Sequence, residues 1–255
     1  MAAFDTSRTA YGTVSVVNTI TSFVAAKVAA DLEIANPDRV FAVSIHSGPG
    51  GDGFFQSTPL DCSDPETDYC YDFRTNEANE YGIKFGTGYG FQGNPSGNIN
   101  RITFATDMFS GQATWGTKTQ TTLDENVLKA NLQAKSNYYA ATRGLYLHVQ
   151  TEFLEDLTGD YNIVTYVIKN EIIEDQDSSN IHVRHYHHHN VFLGCIDEQE
   201  WGHGIGGTNP VSGKVVQTDY SYVLPSNLEP SGIHFLTYVY DVSTYEILQV
   251  IKHEI

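Results

Sequence analysis

Six histidines fall within a short stretch of the second half of the chain: His182, His185, His187, His188 and His189 in IHVRHYHHHN, and His203 in WGHGIGG. Neutral imidazole is a ligand for zinc and copper. In an extended strand alternate side chains share a face, so His185, His187 and His189 point the same way. Asp197, Glu198 or His203 is then available to complete a shell, and this acidic chain has carboxylates to orient the rings. Alternate residues on a flat strand lie ~6.6–7 Å apart, so three of them meet one ion only across a bulge. The competing reading is structural, with the imidazoles packed against aromatics and carbonyls.

Three cysteines carry the remaining chemistry. Cys62 and Cys70 bracket the loop DCSDPETDYC, which a disulfide closes in an oxidising compartment; two unlinked loop thiols are the other reading. Cys195, in VFLGCI, suits a buried free thiol. The segment SGPGGDGF is glycine-rich but holds no Lys or Arg to meet phosphate. With Asp52, Asp61, Asp64, Glu66 and Asp68 it reads either as an oxygen-rich Ca²⁺ loop or as a solvated surface loop. A Gly-x-Ser-x-Gly elbow and a phosphate loop with a following Lys are both missing.

Charge narrows the partners. With 31 acidic residues against 14 Lys and Arg, the net charge is -17. That balance disfavours phosphate backbones and anionic membrane surfaces and serves solubility. No run approaches ~18 consecutive apolar residues, so no transmembrane helix is expected. The opening MAAFDTSRTAYG lacks the pattern of a signal peptide. Either the protein is cytoplasmic, or the sequence begins after a removed signal; the cysteine pair leans towards the second.

The elements that must position these residues change character part-way along. Phe23, Val24, Val28 and Leu32 recur at helical spacing until Asn36-Pro37, and Val40–Ile45 reads as a strand buried on both faces. Thr75 is placed to cap a helix through Tyr81 and Phe85, with Gly86 at its end. A glycine-rich turn through Pro95 enters another strand, and a further helix covers Ser110 to Leu123. This alternation implies a small sheet with helices on its faces. From about Val127 period-2 stretches take over. In RGLYLHVQTEF, Leu145, Leu147, Val149, Thr151 and Phe153 share one face. About seven short strands suggest an antiparallel sandwich.

Several segments, in order, resemble one family: the thioredoxin-like outer membrane lipoproteins related to outer membrane protein twenty-eight. They are NPDRVFAVSIHSG, YDFRTNEANEYGIKFG, GNPSGNINR, the stretch from YYAATRGLYLHVQTEF to VIKNEIIEDQ, and the final TYVYDVSTYEILQVIKHEI. The resemblance implies a bacterial protein that is secreted or attached to the outer membrane. It also implies a Cys-x-x-Cys pair at the start of the first helix, where the helix dipole lowers a thiol pKa. Here YGTVSVVNTITSF places Ser15 and Asn18 at those positions, and no cysteine precedes Cys62. A serine hydroxyl cannot exchange with a disulfide, so thiol–disulfide catalysis at that site is excluded. The family's proline, here Pro95, is cis and faces the redox pair; it either fixes a turn or borders a peptide-binding edge.

The expectation is an α/β thioredoxin-like domain over residues 1–127, with a redox site degenerate at Ser15, Asn18 and Pro95. An all-β antiparallel, immunoglobulin-like sandwich follows over 128–255. Each domain would have its own core, the first on Phe23, Val28, Leu32, Val43, Ile45, Tyr81 and Phe85. The second would rest on Leu145, Leu147, Val149, Phe153, Ile163, Val191 and Leu236. The function expected is a non-catalytic binding or assembly protein of the envelope, with a protein partner and no cofactor. The contrasting reading is a metal-binding or redox protein using His185, His187, His189 and His203, or Cys62 and Cys70.

Overall fold

A computed structural model describes residues 13–18, 23–48, 69–178 and 181–255. The first half runs β1 (Thr13–Asn18), α1 (Phe23–Ala35), β2 (Val40–Ile45), α2 (Asn76–Phe85), β3 (Ser96–Ile99) and α3 (Trp115–Glu125). The second half is all strand: β4 (Ala130–Tyr139), β5 (Gly144–Phe153), β6 (Tyr161–Ser178), β7 (Ile181–Cys195), β8 (His203–Ile205), β9 (Val215–Val223), β10 (Ile233–Asp241) and β11 (Ile247–Glu254).

Local chemistry accounts for most of these boundaries. α1 stops just before Asn36-Pro37, because proline disfavours helical geometry in the residue ahead of it. Thr75 opens α2 by accepting the Ala78 backbone N–H on its hydroxyl at 3.0 Å. Gly86 ends it in a right-handed conformation, donating to the Gly82 carbonyl, so no left-handed glycine turn is needed. β5 alternates as expected: Leu145, Leu147, Val149, Thr151 and Phe153 are all at most 1% exposed. At Gly97 in β3 a Cβ would sit 2.7 Å from the Trp115 ring, so glycine is required for α3 to lie against this strand.

Among the described residues the strands form two sheets. The larger has eight strands in the order β11-β10-β6-β7-β2-β1-β3, with β8 added beside β6; the smaller is β4-β5-β9. The larger sheet is mixed: β1 and β2 run parallel, as do β2 and β7, while the other pairs are antiparallel. The smaller sheet is antiparallel throughout. The architecture is thus mostly β with three α-helices.

The expectation of two separate cores requires correction. Between the two sheets lies a cluster drawn from the second half, including Leu132, Leu147, Phe153, Ile163, Phe235 and Ile251. The opposite face of the larger sheet is equally apolar. There Val164, Tyr166, Ile168, Leu236, Tyr238 and Tyr240 pack with Phe41, Val43, Ile45, Tyr81, Phe85, Met108 and Phe109 of the first half. β6 and β10 are buried on both faces, and their near-continuous apolar runs YNIVTYVIK and IHFLTYVYD have that cause. The expected residues Val28 and Leu32 instead pack beneath α1, beside Ala25, Ala29, Ala42 and Trp115.

Arg101 joins the halves at one point. It follows β3 with φ 55, directly after Asn100 at φ 49, and is 3% exposed. Its Nη2 donates to the hydroxyls of Tyr166 at 3.1 Å and Tyr238 at 2.9 Å. Its guanidinium lies over the rings of Tyr81, Phe85, Tyr238 and Tyr240 at 5.2–5.6 Å. Planar charge stacked on aromatic faces is a use for which Arg is suited and Lys is not.

Candidate functional site: a histidine-lined cavity beneath the first helix

The expected sites separate when placed in the fold. His187 Nδ1 lies 2.8 Å from Glu171 Oε1, and His189 Nδ1 is 3.8 Å from the same oxygen. The hydrogen bond from His187 holds the Glu171 carboxyl below its usual range. His185 sits at φ 52 beside a register shift between Glu174 and Gln176, so strict alternation fails there. Instead its backbone N–H donates to Asp175 Oδ1 at 3.1 Å. His203 pairs with Asp197 Oδ2 at 2.7 Å beside β8. His185, His187 and His189 thus line one shallow pocket beside α1, whereas His203 lies apart from them on Asp197. No group of three or more His, Cys, Asp or Glu among the described residues is placed to hold a metal ion.

The region matched to the redox site also moves. Ser15 and Asn18 lie inside β1 rather than at a helix start; α1 begins at Phe23. Ser15 is opposite Ile99, whereas Asn18 is opposite Ser96, the residue after Pro95. The Asn94-Pro95 peptide is cis. One end of the sheet thus unites Asn18 and Pro95 and leaves Ser15 away from them. Cys62 and the acidic loop residues Asp52, Asp61, Asp64, Glu66 and Asp68 lie outside the described residues. Cys195 is a free thiol, 5% exposed, and its pKa is pushed well up, first by burial and then by Glu77.

What the structure adds is a cavity of about 310 Å³ where α1 crosses the seam between β2 and β7. The two strands meet through the single pair Ser44–Val191, and the small side chains of Ala26, Ala29 and Ala30 on α1 leave space above it. β2 contributes Ala42, Ser44 and His46 at alternate positions, and β7 contributes Tyr186, His188, His189 and Asn190. Glu33 of α1 accepts from Asn190 Nδ2 at 2.8 Å. Burial raises its pKa despite that bond and a second from the Ala42 backbone.

His46 and His188 dominate the floor, at 3% and 5% exposed. His46 stacks on Phe73 at a centroid distance of 4.3 Å, His188 meets the same ring tilted at 4.6 Å, and the two imidazoles lie 5.9 Å from one another. Burial lowers their pKa values to about 3 and about 4, so both are neutral imidazoles at ordinary pH. His188 Nε2 is buried without a hydrogen-bond partner. His46 Nδ1 is likewise buried without a partner.

The sequence places His188 within the histidine cluster and His46 just past a buried strand, and neither is among the expected site residues. The available signals were parity and burial. His188 lies on the face opposite His187 and His189, and His46 shares a face with Ala42 and Ser44 at the end of a fully buried strand.

Among curated proteins, none matches the sequence. Among solved structures, HBP35 of Porphyromonas gingivalis is similar over 96% of this chain and 76% of its own, with 13% identity and a TM-score of 0.69, which is a likeness of fold. A domain of the outer membrane lipoprotein Omp28 from Porphyromonas gingivalis aligns with 51% of this chain and 89% of its own, at 20% identity and a TM-score of 0.33. The family model described as outer membrane protein Omp28 matches residues 84–255, more than half of the sequence. The chain belongs to the Omp28 family of outer membrane proteins and is, with that family, extracytoplasmic.

Proposed function

We propose that the protein is a non-catalytic binding or assembly protein displayed at the outer membrane surface, tethered there or held by a protein partner. Its first half acts as a recognition scaffold of thioredoxin-like type without redox chemistry, and its second half as a β-sandwich docking module. The observation that carries this reading is the absence of cysteine anywhere before Cys62, while Cys195 is buried with its thiol held protonated. Exchange requires an exposed thiolate; neither the start of the first helix nor Cys195 offers one, and Cys62 and Cys70 are expected to be joined. No helix among the described residues is long and apolar enough to cross a membrane, so attachment is assigned to a lipid or a partner.

Two measurements test this. The protein should not accelerate reduction of insulin by dithiothreitol over a protein-free control; acceleration would restore a redox role. Crosslinking in intact outer membranes, followed by mass spectrometry, should return a reproducible envelope protein. If only self-crosslinks or random abundant proteins return, the assembly reading fails.

A further inference from the structure

We propose that the cavity beneath α1 binds a small uncharged amphiphile, its hydroxyl head on the buried imidazoles of His46 and His188 and its aliphatic body against the alanine wall of α1. This goes beyond the assembly reading and stands without it. Two observations carry it. His46 Nδ1 and His188 Nε2 are buried with no hydrogen-bond partner, and both rings line the same 310 Å³ cavity. Buried polar atoms are nearly always paired, and exceptions at a concave surface point to a missing partner. Elsewhere the histidines find theirs: His182 on Asp175, His234 on Asn170 and His253 on Ser136.

The chemistry of the lining selects the ligand. His188 Nε2 and His46 Nδ1 are each a donor or an acceptor according to tautomer, and a hydroxyl serves either. Among the described residues no Lys or Arg lines the cavity, and burial keeps the two imidazoles neutral near neutral pH, so a carboxylate finds no cation in the lining to pair with. Glu33 is already held by Asn190 and Ala42, and burial penalises its charged form; an ammonium would suffer the same desolvation. The opposite wall of Ala26, Ala29, Ala30 and Ile34 packs methyl and methylene groups.

The test uses the full chain with ¹⁵N-labelled histidine, observed through long-range ring couplings and titrated with 1-hexanol, hexanoate and hexylammonium. Hexanol should shift the His188 and His46 ring nitrogens saturably, with a dissociation constant of roughly millimolar order for so small a ligand. The two charged analogues should bind at least about tenfold more weakly. His188→Phe keeps an aromatic ring and removes Nε2; hexanol affinity should fall about tenfold, the effect of one hydrogen bond. Ala30→Leu touches no polar group and should abolish binding by filling the apolar wall, so the test survives if His188→Phe does not fold. Hexanoate or hexylammonium binding as tightly as hexanol would overturn the proposal. So would unchanged binding in Ala30→Leu, or equal shifts from methanol and hexanol, which mark a cavity that holds only water.

Discussion

Arg101 is a permanent cation whose neighbours are phenols rather than carboxylates. Replacing it with Ala removes two hydrogen bonds and a large buried stem, and should cost about 3–5 kcal/mol. Arg101→Met restores volume without a buried charge and should cost clearly less; urea unfolding midpoints of the two variants check the order. Burial of His46 and His188 has a pH consequence of definite sign. Their folded pKa values, about 3 and about 4, lie below the unfolded value. Near neutrality neither state is protonated. As pH falls below roughly 6.5 the unfolded chain takes up protons and the folded one does not, so stability is lost progressively down to the folded values. At pH 5 each histidine should account for about 2 kcal/mol of loss. Urea unfolding at pH 7 and pH 5 should show His46→Phe losing less stability than the parent; an equal loss would refute the assignment. Cys62 and Cys70 are expected to be joined, since Cys195 is free and buried. Mass spectrometry without reduction should find neither alkylated, and cutting so short a loop should cost roughly 2–3 kcal/mol.

At the scale of elements, period and caps carried most of the information. β5 alternates because one face meets a core and the other meets water, and α2 begins where Thr75 receives the Ala78 N–H. Thr75→Ala should lower stability by about 1 kcal/mol with no change of fold, measurable as a fall in Tm with an unaltered circular dichroism spectrum. The family resemblance sets Ser15 and Asn18 at the start of a helix, whereas TVSVVN is strand β1. Its strand state comes from pairing with β2 and β3, a contact between distant segments that local propensity does not record. β7 escaped simple alternation for a similar reason. A register shift against β6 falls beside His185, which has positive φ; beyond it alternation turns His188 inward while His187 and His189 meet Glu171 outside.

At the scale of the whole molecule, the larger sheet unites both halves through β2 and β7. The second half has an inner core between its two sheets, so a fragment of residues 129–255 should keep a β-type circular dichroism spectrum. Its other face, with Tyr166, Ile168, Phe192, Leu236, Tyr238 and Tyr240, loses the cover of α2 and Phe109. An apolar face of that breadth associates, so the fragment should elute as oligomers on size exclusion while the full chain does not. A monodisperse, monomeric fragment would mean that the shared core contributes little.

The helices α1, α2 and α3, the change from helices to strands near residue 127, the two-faced burial of β2 and the absence of cysteine before Cys62 are legible in the sequence, because each depends on residues close together in the chain. So is the family, through ordered segments rather than any single motif. Which histidines turn inward, that Arg101 sits among four aromatic rings, and that one core serves both halves were decided by tertiary structure alone. Each of these depends on register across strands and on the seam where β2 meets β7. A shift of one residue in a strand moves its side chains to the other face, and only the assembled sheet determines that register.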